Sequence, residues 1–401
     1  MRIVVHDYVG YAFPAQLARS LAGRGHDVLH LHCRAFVAGK GRLERTENDP
    51  PGLAFDSVGL DEEFAKYDIP RRIAHERATG RELAAGIAAF GPDVVLSANT
   101  PLIVQRALLR ATHAAGARFV FWQQDVISAA AKRVAGPAAG WAAGLLERRL
   151  VRRSDAVVVI SEDFLPLLRR WGVDESRVTV VENWAPVEEL PVVARANSWS
   201  AEHGLDEHFV LLYSGALGIK HDPSLLLYLA RWAAGHGALV VVVSEGPGAD
   251  WLAEHGAAED ALRLLPYQPY ERLPEMLGSA DVLVALLDPA AAGFSVPSKV
   301  LTYLCAGRPL LLSVGRENLA ARVVERSGGG VVVPASDSAA LVGAAEELRN
   351  DAERRAELGR SGRAYAESAF DRDAIAVRFE QVLEEEGQPA RRRRRSTPPS
   401  A

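Results

Sequence analysis

The chain has 401 residues, 48% of them hydrophobic and 24% charged, with a formal net charge of −5 and two cysteines. That length exceeds one ordinary core and predicts two domains, and the balance is that of a globular protein, not a disordered or fibrous one. Cys33 and Cys305 sit in apolar contexts, which argues against a disulfide framework or a zinc site and fits a reducing, cytoplasmic setting. Residues 1–10 read as a strand and loop, not as a leader, and no apolar run reaches the ~18 residues of a spanning helix. Residues 1–190 carry a net +1 and the remainder −6. The more basic half is compatible with peripheral contact at the inner face of an anionic membrane. No basic stripe is interleaved with aromatics, so nucleic acid has no support as a partner.

In chain order, residues 2–6 form an apolar strand, 14–24 an amphipathic helix closed by Gly25, and 28–32 a second strand. Strand, helix and strand within some thirty residues make a βαβ unit, whose crossover implies a parallel sheet. Helices over 77–90 and 102–115 alternate with strands over 93–97 and 118–122. Then come a helix over 138–153, a strand over 156–160, a helix over 163–172 and a strand over 178–182. Residues 183–200 break this rhythm with two prolines and read as a linker.

A second α/β series follows. Strands are predicted over 209–213, 239–244, 261–265, 282–286, 310–314 and 330–333. Helices are predicted over 223–235, 270–279, 299–305, 338–348, 353–369 and 374–386. The fold class is therefore α/β, with two doubly wound, Rossmann-like parallel-sheet domains facing across a cleft. Residues 1–190 form the first and 191–386 the second, whose last helix is free to pack back on the first. Residues 387–401, rich in Arg and Pro, read as a disordered tail.

Four loops of the second series suit a nucleotide. Gly215 and Gly218 follow the first strand, with Lys220 behind them; glycines let backbone approach an anion, and the lysine adds charge. The spacing is not that of a Walker loop. Glu245 and Gly246 lie in a second glycine loop. Tyr267 and Gln268 sit in a proline-bracketed turn suited to the edge and face of a nucleobase. Residues 293–312, GFSVPSKVLTYLCAGRPLLL, run from a loop holding Ser295, Val296 and Ser298 into a helix opening at Lys299. The amides and dipole of such a junction favour phosphate.

The order and wording of these segments resemble the retaining GT-B glycosyltransferases, specifically glycosyltransferase family four. The matching stretches are 160–162, 181–184, 214–220, 244–247, 266–269 with 280–282, 295–309 and 329–334. The SVPSK form is similar to the subgroup for polysaccharide biosynthesis. The resemblance implies a nucleotide-sugar donor in the second domain, with Lys220 and the amides of Ser298 and Lys299 on the diphosphate. Tyr267 and Gln268 would meet the base, and residues 294–296 (Phe294, Ser295 and Val296) would face the sugar. It implies no cofactor and no required metal; the donor would be a UDP-sugar, with a GDP-sugar as the second choice.

The first domain would hold a glycan, lipid-linked or small-molecule acceptor, near Tyr8 and Gly10 after the first strand and near Gln123, Gln124 and Asp125 after another. Asp125 and Lys220 are the catalytic candidates, with a helix N-cap as the competing role for Asp125. Phe294 and Thr302 stand where the family often carries glutamates, and Ala216 where it often has arginine. Those departures keep two other readings open, an inactive nucleotide-sugar-binding relative and a sugar-nucleotide 2-epimerase-like enzyme.

Overall fold

The computed structural model describes residues 1–35, 41–62, 68–98, 100–218, 221–289 and 296–385. Two parallel sheets organise them. The first comprises β1 (Arg2–Asp7), β2 (Asp27–Cys33), β3 (Leu53–Val58), β4 (Val94–Ala98), β5 (Arg118–Gln123), β6 (Ala156–Val159) and β7 (Val178–Val180), in the order β3-β2-β1-β4-β5-β6-β7. The second comprises β8 (Phe209–Ser214), β9 (Ala238–Val243), β10 (Leu262–Leu265), β11 (Val282–Leu286), β12 (Leu310–Ser313) and β13 (Gly330–Val333), in the order β10-β9-β8-β11-β12-β13. Parallel strands need helical crossovers that cover both faces. Accordingly β4, β9 and β11 are buried at every position. Both orders reverse once, between β1 and β4 and between β8 and β11. Loops leaving the carboxyl ends there diverge and open a crevice, the usual ligand position in open α/β sheets.

Several elements differ from the sequence expectation. Strand β3 and the helices Pro247–His255 and Leu319–Ser327 were not expected. Gly246 and Pro247 look like loop residues, yet Gly246 at φ 104° hands the chain to a helix whose first residue is the proline. In the helix Leu319–Ser327, Asn318 caps the start and Gly328 closes the end at φ 58°. The helix expected over 138–153 begins earlier, as Ile127–Arg153, and is broken at Gly136 (φ 85°, ψ 178°) just before Pro137. The linker, expected to be irregular, holds a 3₁₀ turn at Val187–Glu189 and a short helix at Ser198–Glu202.

The last helix, Arg372–Glu384, lies against the first domain. Glu380 accepts from Arg24 (2.5 Å) and pairs with His26 (2.7 Å), and Arg118 donates to the Leu383 carbonyl at 2.6 Å. Beneath these contacts the Trp122 ring packs 4.7 Å from Phe379, 5.4 Å from Phe13 and 5.7 Å from Trp184. Aromatic burial of this kind contributes more than the partly exposed ion pairs above it. Among the described residues no helix is long and apolar enough to cross a membrane.

Candidate active-site cleft

At the end of β1, the buried Asp7 carboxylate accepts from the amides of Gly10 (2.7 Å) and Tyr11 (2.6 Å). Gly10 takes φ 85°, and a Cβ there would come within 2.6 Å of Leu43, so the turn requires glycine. Tyr8 points inward, 1% exposed, with its phenol toward Thr79 and Cys33. It belongs to the core. The phenol of this loop that faces the cleft is Tyr11. Burial raises its pKa, and the nearby charges of Asp7, Asp125 and Tyr267 add to the effect. Tyr267 comes from the second domain, so Tyr11 lies within electrostatic reach of Asp125 in its own domain and of Tyr267 across the crevice.

At the end of β5, three consecutive polar residues have three different fates. Gln123 is buried and donates to Glu147 at 3.3 Å. Gln124 and Asn183 exchange hydrogen bonds through their amides, which ties this loop to the linker. Asp125 is half-buried on the cleft side. It does not cap the helix that follows. That task falls to Glu147, which accepts from the amides of Ile127 and Ser128, both at 2.9 Å. Desolvation raises the Glu147 pKa, while these donors hold it down. Truncating Glu147 to Ala strands two partly buried amides, so we expect a loss of about 1–3 kcal/mol, measured by denaturant unfolding.

In the second domain, Ser214 at the end of β8 donates its amide to the Tyr303 hydroxyl (2.7 Å), which donates back to the Ser214 carbonyl (3.1 Å). This pins the glycine loop onto the helix Lys299–Cys305. Gly215 takes φ 106°, and a Cβ there would sit 3.4 Å from the Lys299 Nζ. Gly218 donates its amide to His221 at 3.2 Å. Leu217 accepts from Gly248 at 2.8 Å, a contact that any Cβ on Gly248 would block. The Lys299 stem is partly exposed but its Nζ is buried, 3.5 Å from the centre of the Tyr213 ring. Nζ has no hydrogen-bond acceptor among the described residues. Burial without a counter-charge pulls its pKa well below the ordinary lysine value. Among the described residues only the aromatic face offsets this.

The other expected donor residues divide. Glu245 accepts from the Tyr267 amide at 3.2 Å and so braces that turn beside Gly246. The Gln268 side chain is engaged at both ends, accepting from Trp199 at 3.1 Å and donating to the Pro266 carbonyl at 3.0 Å. Val296 and Ser298 line a pocket between the domains, with Ile160, Glu182 and Asn183 opposite. Thr302 is half-buried in the helix that Lys299 opens. Lys220, Phe294 and Ser295 lie outside the described residues.

Sequence reasoning gave Lys299 a role only through its amide. The glycine directly after β8 was the available signal for its side chain. Tyr11 and Glu147 gave no comparable signal, because their partners are distant in sequence. The two domains also touch through Arg322–Asp163 (2.6 Å), Arg326–Glu182 (2.6 Å) and Arg133–Asp288 (2.9 Å). These pairs are partly solvent-exposed, so they set the register of the cleft more than they stabilise it.

Comparison with known proteins agrees with this architecture. Residues 11–184 match the model of the glycosyl transferase 4-like domain, and residues 196–365 that of the glycosyl transferases group 1. The chain is 24% identical over 303 residues to the "Putative colanic acid biosynthesis glycosyl transferase WcaI" of Escherichia coli (strain K12), covering 72% of this chain and 73% of that one. Its fold superposes on sucrose-phosphate synthase from Thermosynechococcus elongatus with a TM-score of 0.74 at 16% identity, over 95% and 98% of the two chains. It superposes on Anabaena HepE in complex with UDP-glucose with a TM-score of 0.73 at 14% identity, over 96% and 99%. With both domain models in order along one two-sheet chain, the protein belongs to the GT-B glycosyltransferases, and its first domain is of the family-four type.

Proposed function

We propose that this glycosyltransferase takes its sugar from a UDP-sugar, with a GDP-sugar as the second choice, and works with retention of anomeric configuration and without a metal ion. The acceptor is a glycan, a lipid-linked sugar or a small molecule held by the first domain. The observation that carries the reading is the buried, uncompensated Lys299 amine under the glycine loop at the β8–β11 switch point. An amine kept from water and from any carboxylate is suited to an anion that arrives with the substrate. UDP-glucose in the HepE structure supports a uridine donor.

In this reading the diphosphate lies over Gly215 and Gly218, with Lys299 below it and Lys220 completing the charge. Tyr267 stacks on the base. Thr302 and Val296 lie toward the sugar, the role that the resemblance also gives Ser295 and Phe294. Retention follows from a front-face route in which the leaving diphosphate takes the acceptor proton. Lysine charge stabilises the diphosphate as the bond to the anomeric carbon breaks, and Asp125 and Tyr11 face the opposite, cationic fragment. No protein nucleophile is needed.

Two measurements test the proposal. Isothermal titration calorimetry with UDP, GDP and ADP should show UDP binding most tightly, and failure of all three to bind would reject the donor site. Transfer from a UDP-sugar, followed by product NMR, should keep the anomeric configuration and persist in excess EDTA. A loss of activity restored by magnesium would overturn the metal-free mechanism.

A further inference from the structure

We infer that the helix Ile127–Arg153 is a membrane-docking hairpin for an anionic lipid bilayer. The break at Gly136 and Pro137 folds this helix into two arms. Their packing is close. A Cβ on Gly140 would lie 2.5 Å from Lys132 Cβ, and one on Gly144 would lie 3.6 Å from Ser128 Cβ. Glu147 on the second arm holds the first turn of the first arm, as described above. The hairpin thus packs its two arms against each other, with Glu147 bridging them.

Its outer side is not covered by protein. Val134 at the tip is 55% exposed, and Trp141 and Leu145, one turn apart on the second arm, are 70% and 43% exposed. Large apolar side chains in one exposed cluster mark an interaction surface. Farther along the same arm, Arg148, Arg149, Arg152 and Arg153 are exposed, and Glu147, the one acidic residue of the whole helix, is buried. Arg149, Arg152 and Arg153 form no ion pair with a carboxylate among the described residues.

Val134, Trp141 and Leu145, with exposed Lys132 and Arg133 beside the tip and the arginines farther along the second arm, make an apolar patch bordered by basic side chains, which matches the layers of a bilayer surface. Pro137 to Arg149 spans roughly 18 Å at 1.5 Å per residue. The tip can therefore enter the ~5–10 Å boundary between headgroups and acyl chains while the arginines stay level with lipid phosphates. A second copy of the chain suits this face poorly, because a two-fold contact would set arginines against arginines.

The hairpin also begins two residues beyond Asp125, and its Arg133 pairs with Asp288 just past β11. Docking it brings the mouth of the cleft to the lipid surface. That consequence, the presentation of a lipid-linked acceptor, rests on the proposed transferase reading. The docking itself does not.

The test is co-sedimentation of the full chain with phosphatidylcholine vesicles, with and without phosphatidylglycerol. Binding to the anionic vesicles should be at least ~10-fold stronger and should weaken with salt. The double variant Trp141→Glu and Leu145→Glu should lose at least ~10-fold of that affinity, with an unchanged melting temperature and unchanged UDP titration. Arg149→Glu with Arg152→Glu should abolish the preference for phosphatidylglycerol but leave the fold intact. Wild-type vesicle binding by both variants would overturn the inference. So would a fall in solution mass of the Trp141 variant, which would assign the face to a second copy. Loss of binding on truncation after residue 386, with the hairpin variants unaffected, would assign docking to the basic tail. Vesicle binding without any UDP binding would instead reject the transferase reading and leave the hairpin standing.

Discussion

Replacing Asp125 by Asn is expected to lower turnover at least ~100-fold, equivalent to about 2.7 kcal/mol of transition-state stabilisation. The substitution keeps the size of the side chain and removes its charge. If Asp125 orients the acceptor or supports the cationic fragment, the loss should fall on kcat, because the proposed donor site lies in the other domain. UDP affinity should stay within about two-fold. The melting temperature should also stay put, since the following helix is capped by Glu147 and not by Asp125. A variant with near-normal turnover would remove Asp125 from the chemistry and leave Tyr11 as the first-domain group to test next.

The second large effect concerns Lys299. Donor binding should draw a proton onto its amine. In the empty protein, burial holds the pKa well below the ordinary lysine value. A diphosphate beside Nζ favours the charged form and raises it again. Between the lowered and the raised values the complex binds more protons than the free protein. Affinity therefore falls as pH rises through that window, by up to about ten-fold per pH unit. Calorimetry in buffers of different ionisation enthalpy should read an uptake approaching one proton per UDP.

Lys299→Met should abolish that uptake and weaken UDP binding about 10–100-fold, the scale of one charge-assisted contact. The same variant should not be less stable. A depressed lysine pKa means that the unfolded chain binds the extra proton, so the native amine reduces stability below the ordinary lysine value and methionine relieves that cost. Unchanged UDP affinity with no proton uptake in the wild type would place the phosphate elsewhere.

Much of the architecture was legible from local pattern. Apolar strands such as β4, β9 and β11 announce themselves because both their faces are covered, and glycines after helices mark where each crossover turns back. The glycine loop after β8 and the helix opening at Lys299 carry the residue types that the proposed anion site would need, and Tyr303 joins the two. Strand β3 was harder. Its residues, LAFDSV, alternate only weakly, and its pairing with β2 is a tertiary contact. The helix Leu319–Ser327 was obscured by Arg322, Glu325 and Arg326, which face solvent or the other domain.

What the sequence by itself determined is most of the elements and their βαβ order, because propensity, period and turn chemistry act over a few residues. What only the tertiary structure decided is which polar side chains are occupied and which are left available. Tyr8 is buried and Tyr11 faces the cleft, although both lie in one loop. Gln268 is taken up by Trp199, sixty-nine positions away, and Glu147 relieves Asp125 of capping from the far arm of a hairpin. Among the described residues the Lys299 amine is left without an acceptor by the packing of its helix against the end of β8 and the glycine loop that follows. Burial and partnership depend on contacts distant in the chain, and those are fixed only when the two sheets close on each other.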